Sequence, residues 1–343
     1  MQTIPSILFT LSLLLLASCG GNGKAVPGDD QGTGPGAAMA ELEREILASP
    51  RNANLFAERA LLNEQRDSLH LAVNDWNRAI SLDSMNSDLH LGIGDLYFRK
   101  VRLEEAEYHL RKAAALASKD PEPRLKLAEI LLLKREYTDA MGWANDALRL
   151  DQQHAQGYFL KGWIHMEAGD TALAISSYRT AIEQDPSMQE AFIQLGVLHA
   201  ALRDPLALQY YNSALEIGPN STETLYAMGM FAQENGMDSL ALVCYARIKE
   251  ISPEHVLAWY NTGYILLEHM GDPQGAKEQF TRTITLAPQF SEAWYNRGLA
   301  YEKQNMLDSA YADYRKALAL QPDLTAAAYG VGRLRDKGVK IER

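Results

Sequence analysis

"EAWYNRGLAYEKQNMLDSAYADYRKALALQPD" (residues 292–323) decides the fold. Slid back along the chain, it lands on "LAWYNTGYILLEHMGDPQGAKEQFTRTITLAPQ" (257–289), and earlier copies follow at a spacing of 34. With the first unit set at 53, units occupy 53–86, 87–120, 121–154, 155–188, 189–221, 222–255, 256–290 and 291–324. Two depart from 34 residues: the fifth loses one near Asp204-Pro205 and the seventh gains one around Gly271-Asp272-Pro273. Both changes are expected in the turn between two helical stretches, where length is tolerated.

The register is strict. Position 8 is always small (Ala60, Gly94, Ala128, Gly162, Gly196, Gly229, Gly263, Gly298), and position 20, allowing for the two length changes, is always alanine. Four residues beyond that alanine comes a bulky group in most units, among them Trp76, Leu110, Tyr178, Tyr211, Tyr245, Phe280 and Tyr314. Proline closes five units, at 186, 219, 253, 288 and 322. Each unit thus carries two apolar stretches at helical spacing, neither able to bury its face alone. Small residues let the paired helices approach, bulky ones fill the space beside them, and proline stops the second helix. Stacked hairpins of this kind share a continuous core, which makes a solenoid.

Period and pattern resemble the tetratricopeptide repeat (TPR) family over residues 53–324. That resemblance implies an all-α, right-handed superhelical solenoid of helix-turn-helix repeats. Two flanking segments read as caps: 39–52 as a lone second helix whose Pro50 falls at position 32, and 325–343 as a lone first helix with Ala328 and Gly332 at positions 4 and 8. Arg333, Arg335, Asp336 and Lys337 are expected on the solvated outer face of a terminal repeat.

Ahead of the repeats the chain changes character. "ILFTLSLLLLA" is too short for a comfortable span of about 20 residues but has the length of a secretory h-region. Leu16-Ala17-Ser18-Cys19 resembles the lipobox of bacterial lipoproteins, in which the cysteine becomes the acylated N-terminus. The expectation is a signal peptide at 1–18, lipidation of Cys19, and a Gly/Pro-rich tether from 19 to 38 that has almost nothing to bury. Twenty such residues reach roughly 25 Å. Gly20 follows the cysteine where an inner-membrane retention signal would place Asp, and no acidic run follows directly, so the expected location is the outer membrane, at its periplasmic face.

Composition narrows the chemistry. A net charge of −11 over 343 residues argues against nucleic acid. Two cysteines, Cys19 and Cys244, give no disulfide framework, and Cys244 falls in the helical pattern as a small core residue. No phosphate loop, G-x-S-x-G, H-E-x-x-H or C-x-x-C motif is present, so no enzyme, cofactor or metal is expected. His165 and His199 both occupy position 11 of neighbouring units. Equivalent positions of stacked hairpins lie on the order of 10 Å apart, so they read as partly buried contacts rather than a metal pair.

In TPR arrays the first helices line a concave groove through positions 2, 5, 6, 9, 12 and 13. Mapped here, the early units carry Asn54, Glu64, Asp88, Asp95, Glu122 and Glu129; from the fourth unit onward Phe159, Trp163, Met166, Tyr226, Met230, Tyr260, Tyr264 and Tyr295 gather. Position 6 holds Gln194, Asn261 and Asn296, with Ala227 interrupting the row. Side-chain amides can bond any peptide backbone, and tyrosines add contact area at small entropy cost. Similar asparagine rows in the TPR arrays of O-linked N-acetylglucosamine transferases imply a peptide-holding role. The carboxylate clamp of chaperone-binding TPRs is not expected, since its cationic positions are almost empty in units four to eight.

The whole reads as a membrane-tethered adaptor of the bacterial envelope that binds a partner protein or peptide segment through Phe159, Trp163, Gln194, Tyr226, Met230, Tyr260, Asn261, Tyr264, Tyr295 and Asn296. Two alternatives stand beside it: a structural subunit of an envelope or secretion complex using convex surface and ends, and a glycan or small-ligand binder, which requires a closed pocket.

Overall fold

The computed structural model describes residues 35–339. The expected signal peptide, Cys19 and all but the last four residues of the expected tether lie outside those described residues. Every regular element among them is helical. They fall into two contact units divided between Asp170 and Thr171.

The first unit holds α1 (Pro35–Ala48), α2 (Ala53–Gln65), α3 (Leu69–Leu82), α4 (Ser87–Arg99), α5 (Leu103–Leu116), α6 (Glu122–Leu133), α7 (Tyr137–Leu150) and α8 (Ala155–Glu167). The second begins with α9 (Thr171–Gln184), α10 (Gln189–Ala201), α11 (Leu206–Ile217), α12 (Thr222–Glu234) and α13 (Asp238–Ile251). It continues through α14 (Val256–Tyr264), α15 (Pro273–Leu286), α16 (Ser291–Lys303), α17 (Leu307–Leu320) and α18 (Thr325–Asp336). Within each unit the helices pack as antiparallel hairpins, each hairpin against the next, giving the expected all-α repeat architecture.

The small-against-large pattern sets the packing. The alanines at position 20 are wholly buried in both units, from Ala72 to Ala310. At Gly298 the approach demands glycine: a Cβ there would lie 2.8 Å from the Tyr314 ring, closer than carbon atoms tolerate. Tyr178, Tyr211, Tyr245 and Tyr314 are among the largest fully buried side chains, and each such residue contributes on the order of 2 kcal/mol through buried apolar area.

Each turn between first and second helix closes on a left-handed residue, at position 15 in seven units (Asp67, Val101, Arg135, Gly169, Arg203, Gly236 and Asn305) and one place later, at Gly271, in the unit with the extra residue. The following amide reaches back over the last helical turn, as in Arg102 N–H to Tyr97 O at 2.9 Å and Met306 N–H to Tyr301 O at 2.9 Å, which satisfies carbonyls that the helix end would otherwise orphan.

Two local expectations change, in the seventh unit and at α1, while the fifth unit's deletion stays at the Asp204-Pro205 turn. The extra residue of the seventh unit is absorbed inside the first helix: Ile265–His269 forms a π-helical turn after α14, with Met270 N–H bonded to Ile265 O at 3.1 Å. A single insertion in a helix is accommodated this way without disturbing the faces beyond it. In the fifth unit α11, which follows that turn, has 12 residues, against 14 in α13. Lastly, α1 starts at Pro35, four residues before the expected cap, because proline is tolerated in a first turn.

The C-terminal helix also departs from a purely solvated outer face. Arg333 and Lys337 converge on Glu302 at 2.9 and 3.0 Å, while Arg335 remains in solvent. A Cβ on Gly332 would meet nothing within 4 Å, since among the described residues no second helix follows α18.

Candidate partner-binding surfaces

In the second unit the residues expected to form the groove occur on α10, α12, α14 and α16. Tyr226, Met230, Tyr260, Tyr264 and Tyr295 are half-buried, presenting part of each side chain to solvent. The amides differ from expectation. Gln194, Asn261 and Asn296 are each only 7% exposed, and the two asparagines turn their donors onto neighbouring repeats. Asn296 Nδ2 donates to Tyr260 Oη at 2.9 Å. Asn261 Nδ2 lies 3.4 Å from Tyr226 Oη, 3.3 Å from Tyr245 Oη and 3.2 Å from Met230 Sδ. Tyr245 Oη in turn donates to Gln233 Oε1 at 3.0 Å. The position-6 amide therefore ties one hairpin to the position-5 tyrosine of the hairpin before it.

Those ties hold the phenols in place. Burial pushes the Tyr226 and Tyr260 hydroxyls above the ordinary phenol range, so both stay neutral donors and acceptors. Tyr260 is further packed by Phe290 at 4.7 Å and Phe280 at 5.7 Å between ring centroids. Tyr295 lies 5.7 Å from the Tyr314 ring, and Tyr264 meets His269 edge-on at 5.7 Å.

Phe159 and Trp163 belong to the first unit. Phe159 is buried, whereas Trp163 on α8 walls a cavity of about 200 Å3 shared with Glu122, Leu125, Lys126 and Glu129 of α6 and Gln156 and Leu160 of α8. Of the acidic residues expected in this groove, Glu64 is spent internally: it accepts from Trp76 Nε1 at 2.7 Å and pairs with Arg99. Asp95 is bridged by Arg99 Nε at 3.2 Å and Lys126 Nζ at 2.9 Å, and Lys126 lies 3.7 Å from Glu122. Burial, reinforced by Asp95 and Glu122, raises the Glu129 carboxyl above the usual carboxylate range against the pull of Lys126. The recurrence of acids at positions 2 and 9 was visible in the sequence; the cavity they share with Trp163 was not.

The position-11 histidines each face an aspartate of their own hairpin turn, His165 Nδ1 to Asp170 at 3.9 Å and His199 Nδ1 to Asp204 at 2.8 Å. Cys244 is buried and free, and burial pushes its thiol up to about 11, so it is an unreactive core group. Among the described residues, no helix is long and apolar enough to cross a membrane.

Helical hairpins packed in series, with half-exposed aromatics carried by their first helices, define a repeat scaffold of the protein-interaction class. Models of the tetratricopeptide repeat match residues 58–121, 159–222, 257–289 and 291–324, together more than half of the chain. The chain belongs to the tetratricopeptide repeat family. It is 23% identical to the human protein O-mannosyl-transferase TMTC3, over 86% of this chain and 31% of that protein. It is 25% identical to the BBSome complex member BBS4 of Bos taurus, over 62% of this chain and 41% of that protein. The chain thus spans less than half of these curated relatives. A solved structure, the C-terminal part of a TPR repeat-containing protein from Cytophaga hutchinsonii, superposes with a TM-score of 0.61 at 19% identity, covering 70% of this chain and 98% of that one. At that identity the likeness concerns the fold.

Proposed function

We propose that this protein is a lipid-anchored TPR adaptor of the bacterial envelope, a non-enzymatic scaffold that holds a partner protein or peptide segment on its first-helix surface. One observation carries the reading: Tyr226, Met230, Tyr260, Tyr264 and Tyr295 are half-buried on the first helices of consecutive hairpins, a run of large side chains already fixed by packing and by the Asn296 and Asn261 ties. Aromatic and methionine side chains held in this way are what protein-binding hot spots are made of. The anchor rests on the sequence, on Leu16-Ala17-Ser18-Cys19 at the end of an apolar run. The outer-membrane, periplasm-facing location rests on Gly20 after the cysteine.

A second reading, a structural subunit of a larger assembly, is favoured by the likeness to BBS4, which is by name a complex member. Affinity capture from native membranes separates the two. Met230→Ala combined with Tyr264→Ala removes contact area while leaving the Asn296–Tyr260 bond intact. A partner held by the wild type and lost by this folded variant supports the adaptor; a partner retained by both assigns binding to other surfaces. Cys19→Ser tests the anchor separately: it must release the protein from the membrane fraction and abolish palmitate labelling.

A further inference from the structure

The cavity between α6 and α8 has a chemistry of its own. At about 200 Å3 it is smaller than the roughly 300–1,000 Å3 typical of small-molecule sites, and it suits one long side chain. Its walls divide by character: Leu125, Leu160 and the Trp163 indole are apolar, while Glu122, Glu129, Gln156 and Lys126 are polar. The ammonium of Lys126 is already engaged, 2.9 Å from Asp95 and 3.7 Å from Glu122, and Arg99 is divided between Asp95 and Glu64. Four carboxylates (Glu64, Asp95, Glu122, Glu129) therefore face two cations (Arg99, Lys126), leaving two negative charges unbalanced. The charge least provided for is Glu129, whose carboxylate receives no hydrogen bond from the described residues and is held at a raised pKa by burial.

We propose that this cavity receives one arginine side chain from an extended segment of a partner protein, its stem against Leu125 and Leu160, its guanidinium plane on Trp163 and its donors on Glu129. An aliphatic stem with a cationic head matches apolar walls with an acidic rim. A planar guanidinium stacks on indole and forks onto a carboxylate, which an ammonium does less well. The inference rests on the scaffold reading for its claim that the arginine arrives on a protein.

The test uses purified full-length protein in detergent and the pentapeptide acetyl-Gly-Gly-Arg-Gly-Gly-amide, with citrulline and lysine versions, titrated by calorimetry. Citrulline keeps the shape and removes the charge, so its peptide is expected to bind at least about tenfold more weakly, with lysine between the two. Glu129→Gln is expected to weaken the arginine peptide about tenfold. Glu104→Gln removes the same charge from a side chain 81% exposed and is expected to leave affinity unchanged, which separates the cavity from the general attraction of an acidic protein. Trp163→Leu is expected to cost severalfold through the lost stacking, and circular dichroism verifies that each variant keeps its helicity. Absence of binding, equal binding of the citrulline peptide, or equal losses in Glu129→Gln and Glu104→Gln would each overturn the proposal. Because the adaptor reading is tested on Met230 and Tyr264, either idea can fail without the other.

Discussion

Glu302→Gln strikes the point where α18 is fastened to the repeat before it. The Glu302 side chain is 7% exposed and accepts from Tyr314 Oη at 2.7 Å, Arg333 Nη2 at 2.9 Å and Lys337 Nζ at 3.0 Å. Burial opposes its ionisation, yet the hydrogen bonds from Arg333, Tyr314 and Lys337 outweigh it and draw its pKa from 4.5 to about 2. At ~1.4 kcal/mol per pH unit this sets a ceiling of ~3 kcal/mol. Arg333 and Lys337 are 44% and 49% exposed, so solvent screening lowers the expected contribution to ~2 kcal/mol. The folded-state pKa is depressed, so the stabilisation is complete above the unfolded pKa near 4.5 and is lost as pH falls towards 2.

Hydrogen exchange reads this locally, since repeat proteins open from their ends. At pH 7 the α18 amides of Glu302→Gln are expected to exchange about 30-fold faster than wild type, the equivalent of ~2 kcal/mol, with α10 and α11 unaffected. In urea titrations the gap between wild type and variant should shrink to under ~1 kcal/mol by pH 2.5. Other carboxylates titrate in both proteins and cancel in the difference. A gap of equal size at pH 7 and pH 2.5, or unchanged exchange in α18, would refute the ionic fastening and leave only packing.

Four further outcomes follow from the geometry. Gly196→Ala places a Cβ 2.5 Å from the Tyr211 ring, and urea unfolding should show a loss of ~1–3 kcal/mol from overpacking. Asn296→Ala removes the donor to Tyr260 Oη and should cost ~1 kcal/mol in the same assay. Val101 holds φ at +58° on an exposed turn, a conformation β-branched residues resist, so Val101→Asn should gain ~1 kcal/mol. Glu129→Gln should raise the thermal midpoint at pH 8 but not at pH 4. The folded carboxyl binds its proton more tightly than the unfolded one, so ionising it costs stability as pH rises, and the neighbours Lys126, Asp95 and Glu122 are unchanged by the substitution.

What the sequence disclosed and what it hid differ in physical kind. The alanines at position 20 and the small residues at position 8 are steric demands: only small side chains satisfy them, so they repeat visibly. The left-handed turn residue at position 15 is a backbone demand, met by Asp67, Val101, Arg135 and Gly169 alike, so no residue type marks it. The seventh unit's extra residue was countable but not placeable, because a π-helical turn at Ile265–His269 and a longer loop have the same length. Asn261 and Asn296 were identified by register, but register fixes only a helix face. Whether an amide on that face meets a ligand or a neighbouring phenol depends on ångström-scale spacing between hairpins. Arg333 and Lys337 escaped for a similar reason: their partner Glu302 lies about one repeat away in sequence.

The same reasoning divides labour among positions of the repeat. Positions 8, 20 and 24 carry packing. Position 6 is split: Leu160, Gln194, Asn261 and Asn296 are buried there, and two of the amides serve as ties between hairpins. Position 9 is different, for it holds Leu61, Asp95, Glu129, Trp163, Val197, Met230, Tyr264 and Leu299, and none of the eight is buried. No shared chemistry unites them: Asp95 bridges to Lys126 of the next hairpin and Trp163 and Leu299 rest partly on core clusters, but no single packing demand recurs from unit to unit. A site left partly exposed and under no recurring packing demand is where a repeat protein can vary its binding surface at little cost to its fold. On that ground we propose that the carboxylates at Asp95 and Glu129, the indole of Trp163 and the large side chains at Met230 and Tyr264 set the specificity of this chain. The asparagine row, conspicuous in the sequence, keeps the tyrosines beside it in position.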